Sequence, residues 1–138
     1  MSKMPQDVIE LFDDPQTLKM VGTVDKQKNP GLINIGTLGV LDAETLVFAD
    51  VSLGRTKQSL ESTKRVTVGV YKPPMSAYQA KGVFMGWQTS GPAYDKHMPR
   101  VKEMLTAAGI SDSPKAIGIV RVDEVYATGP LSGGMKVA

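Results

Sequence analysis

The sequence predicts a mainly β protein, a single domain built as a six-stranded antiparallel β-barrel with peripheral helices. Three observations support this prediction. Six runs of apolar and β-branched residues are spread along the 138 residues. Most consecutive runs are joined by short polar turns, which suits antiparallel neighbours. Only three short stretches have a helical spacing of apolar residues, and they do not alternate with the strands as a parallel βαβ fold requires.

The chain is predicted to begin with a helix and to continue with two strands. The helix, Met4–Asp14, lies in an N-terminal segment 1–16, has its apolar residues on one stripe, and ends before Pro15. The first strand is Leu18–Val24. The second is Gly31–Leu41, an almost uninterrupted apolar run that contains two glycines.

The middle of the chain contains a strand, a tight polar turn, a short helix and another strand. The strand Thr45–Val51 is rich in apolar and β-branched residues. Apolar residues then recur at three- and four-residue steps over Leu53–Lys64, which predicts a helix. Strand character returns at Val66–Val70.

The last part of the chain is predicted to add two strands and one helix. A long strand occupies Ala77–Thr89, and a helical pattern follows over Ala93–Ala108. Pro99 lies inside that pattern and predicts a break or a new helix start near it. The last strand is Lys115–Thr128, and the glycine-containing tail Gly129–Ala138 is predicted to be a loop.

Composition narrows the possible functions. A formal net charge of +2 is too small to indicate nucleic acid as a general partner. The absence of cysteine excludes disulfides, thiolate metal sites and cysteine nucleophiles, and it is typical of a reducing compartment. No apolar run has the length of a membrane span, and the N-terminal residues lack the apolar core of a signal peptide. We therefore expect a cytoplasmic protein without a membrane partner.

The side chains that usually perform catalysis are scattered. His97 is the only histidine, and its local spacing predicts an exposed or capping side chain rather than a triad member. The carboxylates mostly flank turns, so the sequence predicts no metal site and indicates no paired acid and base. No residue can be assigned a catalytic role from the sequence, which makes a bound cofactor the more attractive source of chemistry.

One turn has the composition of an anion site. Between the strand Thr45–Val51 and the following helix lie Ser52, Arg55, Thr56 and Lys57. Free backbone N–H groups and the positive end of the helix dipole favour an anion there, and a guanidinium strengthens the preference. The alternative is that Ser52 or Thr56 only caps the helix while the cations point into water. We call residues Ser52 to Lys57 the anion site.

The order of three segments is similar to a known family. The segments GLINIGTLGVLD, TLVFADVSLGRTKQSLESTKRVTVGVYK and AYQAKGVFMGW resemble the pyridoxamine 5′-phosphate oxidase-like FMN-binding split barrels, and specifically their short single-domain members. The resemblance extends over roughly Leu18–Thr128, by the order of the elements. It implies a split barrel spanning 1–138, FMN as the cofactor, and a homodimer with the flavin near the subunit interface.

The resemblance also implies which residues hold the cofactor. Arg55 and Thr56 would bind the flavin phosphate, and Lys57 would assist. Backbone groups at the end of the preceding strand would also contact the cofactor, at Asp50, Val51 and Ser52. The second strand would contribute Ile35, Gly36, Thr37 and Leu38. Gln79 and Lys81 would approach from the partner subunit.

Several functions are compatible with this resemblance. The first is an FMN-dependent oxidoreductase or electron-transfer protein whose small-molecule or protein redox partner the sequence does not identify. Authentic pyridoxamine 5′-phosphate oxidases carry a basic substrate-binding pattern near the C-terminus, and PLSGGMKVA lacks one, so vitamin B6 oxidation is not expected. The alternatives are a non-catalytic flavin carrier, an F420-dependent reductase, and a small nucleic-acid-binding barrel.

Overall fold

The computed structural model describes residues 3–138, which form three helices and seven strands. The helices are α1 (Gln6–Asp13), α2 (Arg55–Thr63) and α3 (Pro92–Ala107). The strands are β1 (Leu18–Val24), β2 (Pro30–Asn34), β3 (Gly39–Asp42), β4 (Thr45–Ala49), β5 (Arg65–Lys72), β6 (Ser76–Gln88) and β7 (Ile117–Ala127). Positions 1 and 2 of the predicted N-terminal segment lie outside the described residues. Within residues 3–138, the helices lack the length and hydrophobicity needed to span a bilayer.

All seven strands belong to one antiparallel sheet in the order β2-β1-β5-β6-β7-β4-β3. Strands that are distant in this order nevertheless share one core. Val21 of β1, Val40 of β3, Leu46 of β4 and Val68 of β5 are buried in the same cluster. The sheet therefore wraps around a common interior, and the predicted β-barrel fold with peripheral helices is confirmed.

The prediction of six strands is wrong, because the run Gly31–Leu41 forms two strands. β2 ends at Asn34, a turn contains Gly36 and Thr37, and β3 begins at Gly39. β2 pairs with β1, whereas β3 pairs with β4 at the opposite edge of the sheet. The turn thus moves the chain from one edge of the sheet to the other. An apolar run with glycines does not reveal such a change of partner.

The strand β4 is buried on both faces, which explains its continuous apolar sequence. Leu46 and Phe48 face the barrel core, whereas Val47 and Ala49 face a second cluster beneath α3. In this second cluster Met98 and the other buried residues of α3 pack against β4 and β7. The end of β4 is therefore fixed from two sides.

One further prediction about local structure is wrong. α3 runs without a break from Pro92 to Ala107 although Pro99 lies inside it. The loss of one backbone donor at Pro99 is offset by the burial of the apolar face of α3 against β4 and β7. The C-terminal tail is a loop, as predicted, and it is held to β7 by a backbone bridge between Lys136 and Tyr126 and by the Val137 amide, which donates to the Val125 carbonyl at 2.8 Å.

One irregularity in β6 brings the aromatic residues together. Strict alternation along this strand would place Phe84 and Trp87 on opposite faces. The register with β7 shifts between Phe84 and Gly86, where β6 has one extra residue, so the alternation is interrupted. The rings of Phe84 and Trp87 consequently pack edge to face, with centroids 5.0 Å apart.

Candidate functional site

Three segments that are separate in the sequence meet at one end of the barrel. They are the turn between β2 and β3, the end of β4, and the start of α2. The Thr37 side chain joins the first two, because its Oγ1 accepts a hydrogen bond from the Ala49 amide at 3.0 Å. Asp50 follows directly, and its own amide donates to the Ala116 carbonyl at 3.1 Å. The structure thus brings the turn beside the predicted anion site.

The start of α2 has the backbone of an anion site. Gly54 is the residue that precedes the helix, with φ of 56°, and no side chain within residues 3–138 caps the first turn. The alternative that Ser52 or Thr56 caps α2 is therefore wrong. Ser52 itself has φ of 52°, a conformation that is uncommon outside glycine and that clusters at functional sites.

The two cations of the anion site differ in their surroundings. Arg55 is exposed, forms no ion pair with any other described residue, and lines an open cleft of about 330 Å³ between α2 and the turn that contains Asp25 and Lys26. Lys57 instead pairs with Asp50, its Nζ lying 2.5 Å from the carboxylate. This hydrogen bond raises the pKa of Lys57. Arg55 is thus the cation that is free to bind an anion.

The aromatic cluster lies against the same side chains. The Lys57 Nζ is 5.4 Å from the centroid of the Trp87 ring, within the range of a cation–π contact. The Trp87 indole N–H donates to the Glu61 carboxylate at 3.2 Å. Trp87 thus contacts both Lys57 of the predicted anion site and the Phe48 and Phe84 rings of the barrel core.

The other residues of the predicted cofactor set differ in accessibility. Gly36 and Ser52 are exposed, and Val51 is half-buried against the cluster beneath α3. Ile35 and Thr56 are buried, with 5% and 6% of their surface exposed. The Thr56 amide also donates to the Leu53 carbonyl at 3.1 Å. The Ile35 amide likewise donates to the Lys19 carbonyl at 3.0 Å, so neither position offers a ligand an exposed side chain or a free amide.

Two predicted site residues lie elsewhere on the same subunit. Gln79 and Lys81 are in the first half of β6, opposite Gly69 and Thr67 of β5, on the outer face of the sheet. Lys81 stacks on Tyr126, with its Nζ 4.9 Å from the ring centroid. Gln79 is eight residues before Trp87 on one strand, which at about 3.3 Å per residue separates them by roughly 26 Å. One subunit does not bring these two residues to Arg55.

Sequence reasoning missed His97. The prediction of an exposed or capping side chain is wrong, because His97 is only 1% exposed and its Nε2 lies 2.6 Å from the Thr37 carbonyl oxygen. The space for the ring comes from Gly39 of β3, where a Cβ atom would lie 2.6 Å from the His97 Cε1. The glycine was visible in the sequence, but its contact with a residue 58 positions later was not.

Comparisons with known proteins identify the fold. No protein-family model and no curated protein sequence matches the chain. Among solved structures, HupZ from Group A Streptococcus is similar with a TM-score of 0.76 and 22% identity, covering 98% of this chain and 99% of that chain. A proposed pyridoxamine 5′-phosphate oxidase from Lactobacillus delbrueckii gives 0.69 and 20%, covering 91% and 94%. An FMN-binding protein from Syntrophomonas wolfei gives 0.68 and 16%, covering 85% and 80%.

Proteins of several functions share this fold. Other similar structures are described as an F420 reductase and as haem-binding or haem-storage proteins from Mycobacterium smegmatis and Vibrio cholerae. The predicted resemblance to the pyridoxamine 5′-phosphate oxidase-like split barrels is confirmed at the level of the fold. The shared fold does not specify a ligand, which depends on the chemistry of the residues at the site.

Proposed function

We propose that this split-barrel protein binds FMN at the anion site, as one subunit of a homodimer, and acts as a flavoprotein in the transfer of electrons or hydride. The observation that supports the proposal most directly is the start of α2. There an uncapped helix N-terminus and an exposed Arg55, which has no ion pair within residues 3–138, adjoin the end of β4 and the Gly36–Thr37 turn. A phosphate monoester suits a guanidinium at a helix start, where the Thr56 and Lys57 amides donate to the Leu53 and Gly54 carbonyls and the Arg55 amide is left for the ligand.

The charge balance of the site assigns the main role to Arg55. Because Asp50 pairs with Lys57, that ammonium offers an incoming phosphate less net charge than Arg55 does. Lys57 would then contribute mainly by holding Asp50 and by covering the Trp87 ring. The exposed backbone at Gly36 and at Ser52 would lie along the flat ring system of the cofactor. FMN, when bound, supplies the capacity to accept and donate hydride or single electrons.

A second copy of the chain would complete the site. Gln79 lines a groove of about 260 Å³ on the outer sheet face, whose other lining residues include Gly22, Leu32 and Gly69. Leu18 and Leu32 on this face are 59% and 66% exposed, which is unusual for large apolar side chains on a stable monomer surface. Pairing of two such faces would bury them and bring Gln79 of one subunit toward the flavin of the other.

The position of His97 argues against haem as the ligand. His97 is the only histidine in the sequence, and it is buried with its Nε2 directed to the Thr37 carbonyl. It is therefore not placed to coordinate an iron atom in an open cleft. A helix start suited to a phosphate favours FMN over haem, which carries no phosphate group.

The experiment is an absorption spectrum of the freshly purified protein, followed by mass analysis of the material that heat releases. Two flavin bands and released FMN are expected. An intense haem band with no flavin, or a colourless protein that also fails to bind added FMN, would contradict the proposal. Steady-state oxidation of a nicotinamide donor then separates an oxidoreductase from a carrier, since a carrier binds FMN without turnover.

A further inference from the structure

We propose that His97 is a positioning residue, which fixes the Gly36–Thr37 turn against β4 and makes flavin binding depend on its own protonation. The inference rests on the function proposed above. It concerns a residue that has no contact with the cofactor cleft and acts through Thr37. The contacts around the ring, rather than any resemblance, support it.

Two hydrogen bonds hold Thr37 between different elements. Its carbonyl oxygen accepts a hydrogen bond from the His97 Nε2 at 2.6 Å, and its side-chain Oγ1 accepts one from the Ala49 amide at 3.0 Å. Thr37 is 7% exposed and His97 is 1% exposed, so water does not compete for these groups. The turn is therefore tied to α3 by its backbone and to β4 by its side chain, and Gly36 is left at the surface.

The space around the ring leaves it little freedom. Gly39 of β3 allows the imidazole to approach the backbone, since a Cβ atom there would lie 2.6 Å from Cε1 and 3.2 Å from Nδ1. On the other side, α3 is anchored by Met98 and Val101 in the cluster beneath it. Because the ring is confined in this way, loss of its hydrogen bond to the Thr37 carbonyl would loosen the turn.

The second ring nitrogen makes the arrangement sensitive to protons. A carbonyl only accepts hydrogen bonds, so Nε2 carries the hydrogen and Nδ1 of the neutral ring carries a lone pair. Nδ1 is buried and has no hydrogen-bond partner within residues 3–138. Protonation would place a charged N–H there without an acceptor, which is costly in a buried site. Burial lowers the pKa of His97 although the hydrogen bond to Thr37 raises it. A proton therefore favours a state in which the ring has left its site and its hydrogen bond to Thr37 is broken.

The charged groups that face His97 come from two helices. Asp13 of α1 favours the protonated ring, whereas Arg100 and Lys96 of α3 oppose it. Asp13 is already engaged, because its Oδ1 accepts hydrogen bonds from the Val40 amide and from the Arg100 guanidinium, each at 2.9 Å. Lys96 donates to the Leu41 carbonyl. Asp13 is thus held by two hydrogen bonds to Oδ1, and it forms none with His97 Nδ1.

The test compares two replacements of similar size. His97→Gln can place an amide N–H close to the position of Nε2 and cannot become charged, whereas His97→Leu removes the donor. Binding of FMN and of riboflavin is measured from pH 5 to 8 for the wild type and both variants. Riboflavin is essential here because the FMN phosphate itself titrates near pH 6. Amide hydrogen exchange of Ala49, with Val68 as the reference, reports whether the Ala49 amide stays hydrogen-bonded to Thr37 when no ligand is present.

Distinct results are expected. Wild-type affinity for riboflavin falls as the pH decreases from 8 to 5, and His97→Gln removes this dependence while keeping the affinity at pH 8. His97→Leu weakens both flavins about fivefold at pH 8, as the loss of one hydrogen bond predicts. His97→Leu also accelerates amide hydrogen exchange of Ala49 by at least a similar factor and leaves the exchange of Val68 unchanged. In His97→Gln, flavin affinity and Ala49 exchange at pH 8 remain close to those of the wild type.

Two results would overturn the inference. One is a pH dependence of riboflavin binding that persists in His97→Gln, and the other is unchanged Ala49 exchange in His97→Leu. Failure of the wild type to bind either flavin at any pH would refute the proposed function and with it the coupling to flavin binding. The exchange data would then still decide whether His97 positions the turn.

Discussion

Replacement of Arg55 by alanine tests the anion site most directly. Arg55 is exposed at the start of α2 and forms no ion pair with other described residues, so its removal is expected to leave the stability of the fold unchanged. Loss of charge-assisted hydrogen bonds to a phosphate costs about 1.5–3 kcal/mol in total at such an exposed position. The dissociation constant of FMN should therefore rise roughly 10- to 150-fold.

A comparison with riboflavin separates the contribution of the phosphate to the affinity from that of the flavin ring. Because riboflavin lacks the phosphate, its affinity should change less than about threefold in Arg55→Ala, since a lost long-range charge contributes little in water. Calorimetric titration of both ligands, with thermal unfolding of the free protein, gives all the required quantities. Lys102→Ala is the matched control, because it removes one exposed positive charge from α3, away from the site.

The variant Arg55→Lys tests whether the geometry of the guanidinium contributes to FMN affinity in addition to its charge. It keeps the charge and loses the planar fork that binds two phosphate oxygens, so an intermediate loss of FMN affinity is expected. An equal weakening of FMN and riboflavin in Arg55→Ala would refute the reasoning, because it would assign Arg55 to the ring or to the structure of the turn. Unchanged FMN binding would show that the phosphate is held elsewhere.

Four other predictions follow from the same contacts. Gly39→Ala should lower the free energy of unfolding by about 1–3 kcal/mol, as measured by urea denaturation, because the added methyl group forces His97 from its place. Asp50→Asn should tighten FMN in calorimetric titration at low salt, since it removes the carboxylate that pairs with Lys57. Leu32→Asp should shift a wild-type dimer toward monomer in sedimentation and weaken flavin binding with it. Finally, because burial lowers the pKa of His97 from 6.5, the unfolded chain takes up the proton first as the pH falls below about 6.5. The free energy of unfolding should therefore decrease between about pH 6.5 and the lower pKa of the folded state, and urea denaturation should find this component missing in His97→Gln.

The sequence predicted the features that depend on neighbouring residues. The apolar and β-branched composition of β4 and the strand character of β5 were visible in the sequence, and they contributed to the prediction of a β-barrel with peripheral helices that the structure confirms. The turn before α2 was also visible, since glycine and cations follow a strand there. Local spacing contains this information because each element buries a face of its own.

The features that depend on distant partners were not predictable. The break between β2 and β3 is specified by the Thr37 contact with Ala49 and by His97, a residue 60 positions later. The continuity of α3 across Pro99 depends on the cluster that the helix covers. The ion pair of Lys57 with Asp50, which weakens one of the two predicted cations, likewise requires the fold.

The position of Trp87 gives the protein an optical reporter of its own. The sequence contains one tryptophan, so all indole emission originates beside Lys57 and Glu61. An isoalloxazine ring absorbs in the range where indole emits, and resonance energy transfer over the short distance from the anion site will quench that emission. Rapid mixing of unlabelled protein with flavin can therefore time the binding and release of the proposed cofactor without altering a residue.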